Sequence, residues 1–84
     1  MPNKFEPLER YLRDLHVDKQ EVTIAFEQIE RILGEPLPQP ALQDTLWWGN
    51  QKQGTNVEAI PWMDAGWMVD TVDLKERHVK FVRQ

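Results

Sequence analysis

Glycine and proline interrupt this chain near its middle. Gly34 stands where the C-terminal cap of a helix favours a positive φ angle, and Pro36 cannot continue a helix. Residues 37–40 carry two further prolines and predict a rigid, extended linker. The end of a helix at Gly34 is therefore the best-defined boundary in the sequence.

The residues before this boundary predict two helices with a strand between them. Residues 7–16 place three leucines and a tyrosine at helical spacing, and Pro7 suits the first helical position because its missing N–H is not needed there. The β-branched segment 21–25 predicts a short strand. Apolar residues at helical spacing then predict a second helix over residues 26–33.

The residues after the boundary predict short helices on either side of a loop. A third helix is predicted over residues 40–46. The polar, glycine-flanked segment 49–56 predicts the loop. Pro61 can begin a further short helix over residues 61–65, which Gly66 closes.

The C-terminal segment predicts a β-hairpin. Strands are predicted over residues 67–74 and 78–83, and residues 75–77 form the turn between them. The order of helix, strand, helix, short helix and hairpin matches the winged-helix plan, in which the third helix is the reading element and the hairpin is the wing. We therefore predict an α+β, winged-helix-like fold with two to three N-terminal helices, a short strand and a C-terminal β-hairpin.

Length and composition limit the classes of protein that fit this chain. Its 84 residues suffice for one domain, so we predict a single domain over residues 1–84, with residues 1–5 and 84 frayed. The absence of cysteine excludes disulfide bonds and thiolate metal sites. No apolar run approaches the length of a membrane span, and residues 1–6 lack the apolar core of a signal peptide. We therefore expect a cytoplasmic protein that does not bind membranes.

Five short motifs run through nearly the whole chain. They are Pro7-Leu8-x-x-Tyr11-Leu12, Phe26-x-x-Ile29-Glu30-x-x-Leu33-Gly34-x-x-Leu37-Pro38, Trp47-Trp48-x-Asn50, Trp62-x-x-Ala65-Gly66-Trp67 and Val72-Asp73-Leu74. Together they resemble a family of small bacterial and phage domains with no assigned function. The resemblance implies a compact cytoplasmic domain of bacterial or phage origin, and it carries over no catalytic residue. Gln39-Pro40 and Pro61 depart from the pattern of the family.

The sequence offers no group of residues that is typical of catalysis or of metal binding. His16 and His78 lie far apart, and neither is in a metal-ligand motif. The chain has no serine and no cysteine, and its threonines lie in no nucleophile motif. We therefore predict that the protein is not an enzyme and has no catalytic residue, metal or cofactor.

Tryptophan is concentrated in a short part of the chain, and it predicts a binding site. We expect Trp62 and Trp67 to belong to the core. Adjacent Trp47 and Trp48 cannot point the same way in a regular element, so one of them should be exposed or lie at a subunit interface. An exposed indole could stack on a nucleobase while polar and basic groups hold the anionic part, or it could stack on a side chain of a partner. The alternative is that the exposed ring only covers the polar loop. The candidate ligand-binding residues are Trp47, Trp48, Asn50, Lys52, Arg77 and Arg83.

These residues predict a non-enzymatic binding protein that forms a homo-oligomer and binds or sequesters a small ligand such as a nucleotide. One alternative is a winged-helix DNA-binding protein that uses the hairpin bases as a wing. The net charge of −4 and the absence of lysine and arginine from residues 40–48 count against it, because these cations dominate contacts with phosphate. A second alternative is a protein-interaction module or inhibitor of a larger partner, which the acidic first half and an exposed aromatic side chain would favour.

Overall fold

The computed structural model describes residues 5–49 and 60–84, without the side chains of residues 60 and 61. The predicted α+β class is confirmed, and the helices precede a C-terminal hairpin as the winged-helix-like prediction requires. The predicted loop 49–56 lies outside the described residues apart from Gly49. In chain order the elements are α1 (Glu6–Arg13), β1 (Glu21–Ala25), α2 (Phe26–Leu33), α3 (Gln39–Gln43), a 3₁₀ helix (Thr45–Trp48), α4 (Ile60–Asp64), β2 (Trp67–Asp73) and β3 (His78–Arg83).

The three strands form one antiparallel sheet in the order β1-β3-β2, so β3 lies in the centre. The pairs Glu21–Val82 and Ala25–His78 mark the two ends of the ladder between β1 and β3. The ladder between β2 and β3 shifts by one residue between Val69 and Thr71, which is a β-bulge. The early strand β1 and the late hairpin therefore become a single layer only through β3.

The two faces of this sheet have opposite character. Side chains alternate between faces along a strand, so one face can pack on helices while the other meets water. On the outer face the ammonium Nζ of Lys80 lies 3.3 Å from Oε2 of Glu21 and 3.9 Å from Oδ2 of Asp70. The inner face packs against α1, α2 and α4, and its fully buried residues are Ile24, Trp67, Val79 and Phe81.

Aromatic rings fill the middle of the core. Trp62 and Trp67 are both fully buried, which confirms their prediction as core residues. The ring of Trp62 meets that of Phe81 edge-on at 5.9 Å between centroids. The indole Nε1 of Trp67 donates a hydrogen bond of 3.0 Å to the carbonyl of Leu12, so α1 is tied to the first residue of β2. No polar or charged residue is buried among the described residues.

Two helices end earlier than their apolar pattern predicts. Helix α1 ends at Arg13 rather than at residue 16, because the carbonyl of Leu12 accepts from Trp67 and from the N–H of Leu15 instead of continuing the helical ladder. Helix α3 ends at Gln43 because Asp44 is extended, with its Oδ1 accepting from the N–H of Leu46 at 2.9 Å. Asp44 thereby starts the 3₁₀ helix as its N-cap.

Gly34 ends α2 with a φ of 78°, as the sequence predicts.

Both ends of the described chain make contacts. Phe5 is 5% exposed, and Gln84 donates a backbone hydrogen bond of 2.9 Å to the carbonyl of Gly66. Phe5 is therefore buried, whereas Gln84 is exposed and makes a backbone hydrogen bond; the fraying of residues 1–5 and 84 stays a prediction.

Candidate functional site

Trp48 has no surface with which to bind a ligand. It is 1% exposed and lies between two other rings, with centroid distances of 5.4 Å to Phe26 and 5.8 Å to Trp62 in stacked orientations. Its Nε1 donates a hydrogen bond of 2.9 Å to the carbonyl of Ala41, so its polar atom is also satisfied inside the protein. The prediction of Trp48 as a ligand-binding residue is therefore corrected, because both faces and the N–H group are already occupied.

Trp47 covers the edge of this aromatic core. It is half-buried, and its ring meets Phe5 and Trp48 edge-on at centroid distances of 5.7 Å and 4.8 Å. It therefore retains some exposed surface, although its contacts are those of a core residue. Asn50 and Lys52, which were predicted to lie beside it, fall outside the described residues.

Arg77 immediately precedes strand β3, and Arg83 is the last residue of that strand. They are six positions apart, which corresponds to roughly 20 Å along a strand. The guanidinium of Arg83 donates to the carbonyls of Lys19 and His16 at 2.9 and 3.0 Å and lies 4.4 Å from the ring centroid of Trp67. Arg83 thus anchors the connection between α1 and β1, and it cannot share a small ligand with Arg77.

A groove of about 420 Å³ opens beside Arg77, between the N-terminus of α2, helix α3 and the β2–β3 turn. We call it the α2–turn groove. Ala25, Phe26 and Leu42 supply its apolar surface. Its charged residues are Glu27, Glu30, Glu76 and Arg77. Of these residues, only Arg77 was predicted as a site residue. The order of elements could have indicated the other lining residues, because it places the third helix and the hairpin turn on one side of the fold.

Negative charge predominates in the α2–turn groove. Glu27 pairs with Arg31 one helical turn away, and both side chains are 75% exposed. Oε2 of Glu30 accepts a hydrogen bond of 2.8 Å from the N–H of Leu37. The Glu76 carboxylate forms no ion pair with any residue in the ranges 5–49 and 60–84. The described lining of the groove therefore combines three carboxylates and a single guanidinium with the apolar surface.

Arg77 has an unusual backbone conformation for its residue type. Its φ of 62° makes it the one non-glycine residue with a positive φ among those that the structure describes. Its N–H donates to the carbonyl of Asp73 at 2.8 Å, and its carbonyl accepts from the N–H of Phe26 at 2.9 Å. The turn therefore holds Arg77 firmly against the start of α2, in a conformation that costs an L-residue about 1–2 kcal/mol.

Replacing Arg77 with asparagine is expected to preserve or raise stability, by up to about 1 kcal/mol, because asparagine adopts positive φ at lower cost. The measurement is the midpoint of urea unfolding with an unchanged m value. Lys75→Asn in the same turn is the control, since Lys75 has no positive φ and no gain is expected there. A loss of stability in Arg77→Asn alone would show that the arginine side chain stabilises the fold.

The rest of the described structure does not add a second kind of site. Within residues 5–49 and 60–84, no three His, Cys, Asp or Glu residues come together in a way that could hold a metal ion. None of the helices in these ranges has both the length and the apolar character needed to cross a membrane.

The fold and the groove define a small α+β domain with a mixed-charge surface beside its hairpin turn. The chain belongs to the DUF7662 family, described as a domain of unknown function, whose model matches residues 5–84. Its predicted membership in a family of unassigned function is thereby confirmed. Comparison with curated proteins and with solved structures found no match.

Proposed function

We propose that this domain is a non-enzymatic protein-interaction module that binds a partner through the α2–turn groove. The observation that carries the proposal is the composition of the groove, in which apolar surface from Leu42 and Ala25 lies among charges of both signs. Protein interfaces combine apolar contact with polar groups in this way. The volume of about 420 Å³ suffices for one or two side chains of a partner.

DNA fits this surface poorly. The winged-helix plan directs the third helix and the wing toward the duplex, and the α2–turn groove lies between these two elements. Residues 39–48 contain Asp44 and neither lysine nor arginine. Three glutamates would therefore face the phosphates, where lysine and arginine are needed for affinity.

A nucleotide also fits the α2–turn groove less well than a polypeptide, because the groove carries carboxylates. Among the described residues that line the groove, Arg77 is the one cation, beside three carboxylates. The predicted aromatic partner Trp48 is buried, and Arg83 is held at the far end of β3. Nucleotide binding stays a prediction, and a rise in melting temperature with added nucleotide would support it.

Leu42→Gln is expected to weaken partner binding at least about tenfold, equivalent to about 1.4 kcal/mol, because it places a polar group on the apolar wall of the groove. The probe is a library of random 12-residue peptides, selected on the wild-type domain. Selected peptides are then synthesised, and their dissociation constants are measured by isothermal titration calorimetry.

Leu46→Gln is the matched control for this experiment. Leu46 is 78% exposed and does not line the groove, so its substitution should change the dissociation constants less than twofold. Circular dichroism checks that both variants are folded. Equal binding to both variants and the wild type, or selection of no peptide, would contradict the proposal.

A further inference from the structure

We propose that the occupant of the α2–turn groove is a polypeptide segment that carries a lysine or arginine next to an apolar residue. This inference rests on the proposed function and names the chemistry of its partner. A lysine or arginine side chain has an apolar stem and a charged end. The described lining of the groove has the matching composition, because Leu42 and Ala25 offer apolar surface to the stem and the glutamates offer carboxylates to the charged end.

The carboxylates of the groove are available to an incoming cation at small cost. The pair between Glu27 and Arg31 joins two side chains that are each 75% exposed, and exposed pairs four residues apart on a helix contribute only about 0.3–0.5 kcal/mol. Glu30 uses Oε2 for the N–H of Leu37, and its second oxygen can still accept. Glu76 is exposed and has no ion pair to break within the described ranges.

Arg77 adds a positive charge to the described lining of the groove. Its guanidinium forms no ion pair with a described residue, so it is free to bind a carbonyl or carboxylate group of the same segment.

The two signs of charge select one class of partner. A polyanion would contact Arg77 but would bring negative charge against three glutamates, and like charges at close range cost several kcal/mol. A polypeptide segment can place its cation near the glutamates and a carbonyl oxygen near Arg77. The groove therefore favours a basic segment of a protein over a nucleic acid.

The composition of the peptides that require Leu42 is the first test. Those that lose binding in Leu42→Gln are expected to be enriched in lysine or arginine next to an apolar residue, relative to the unselected library. Their affinity is expected to fall at least about threefold between 50 and 300 mM NaCl, because salt screens exposed charges.

A matched pair of charge variants is the second test. The triple variant Glu27→Gln, Glu30→Gln, Glu76→Gln neutralises the groove, and glutamine at residue 30 can still accept from the N–H of Leu37. The control is Glu6→Gln, Glu9→Gln, Glu21→Gln, which removes the same charge from other surfaces. Each triple removes three of the acids behind the formal charge of −4 and brings it to −1.

The groove triple is expected to weaken binding of the selected peptides at least about tenfold, and the control less than about threefold. Two results would contradict a basic occupant: peptides that need Leu42 but lack basic residues, and peptides that bind the two triple variants equally. In either case the groove would remain the binding surface. If no peptide depends on Leu42, the proposed function fails together with this inference.

Discussion

Replacing Trp48 with alanine is expected to lower the free energy of unfolding by about 3–5 kcal/mol, the usual loss for a buried aromatic residue. Trp48 is stacked on Phe26 and on Trp62, so its removal leaves a cavity with two rings unsupported. It also leaves the carbonyl of Ala41 without its donor. A domain of 84 residues has roughly 4–13 kcal/mol of stability in total, so much of the population could unfold.

Urea unfolding followed by far-ultraviolet circular dichroism measures this loss without depending on the indole itself. Trp47→Ala is the neighbouring control, and we expect it to cost about 1–2 kcal/mol because Trp47 is only half-buried. Trp48→Phe retains a ring in the stack and should cost less than Trp48→Ala. Equal losses in Trp47→Ala and Trp48→Ala would mean that the two indoles are not divided between core and surface as described.

Replacing Phe81 with alanine is also expected to lower the free energy of unfolding by about 3–5 kcal/mol. Phe81 is fully buried on the central strand, opposite Val22 of β1 and Val69 of β2, and its ring contacts Trp62. Its loss therefore weakens both ladders of the sheet and its contact with the aromatic core. The same urea experiment measures it.

Val82→Ala, one position along the same strand, tests the assignment of the two faces. Val82 points to the outer face between Glu21 and Met68, so we expect a cost below about 1 kcal/mol. A loss as large as that of Phe81→Ala would show that the outer face is covered in solution. A second copy of the chain would then be the first occupant to test, by light scattering at several concentrations.

The elements that local chemistry defines were predictable to the residue. Strand β1, helix α2 and strand β3 have the bounds that their sequence patterns predict, because β-branched runs and the glycine cap at Gly34 act within a few residues. The end of α1 was not predictable, since it depends on a hydrogen bond from Trp67 to Leu12 across the fold. Tertiary contacts decide such boundaries, and the sequence pattern of α1 alone cannot show them.

The candidate site was predictable only in part. The sequence indicates that Trp47 and Trp48 diverge, but only the packing shows that Trp48 points inward. The predicted hairpin already separates Arg77 from Arg83 by the length of one strand. The sequence alone therefore indicates that these two residues do not share a small ligand. The α2–turn groove is different, because it joins α2, α3 and the hairpin turn, and no local pattern brings these elements together.

The central position of β3 also affects when the domain can fold during synthesis. Strands β1 and β2 do not pair with each other, and each reaches the sheet only through β3. A growing chain therefore has no β-ladder until the residues up to Arg83 have left the ribosome. Until then the apolar residues of β1 and β2 lack their strand partners, and a chain that stops before His78 would expose both edges to chaperones and proteases.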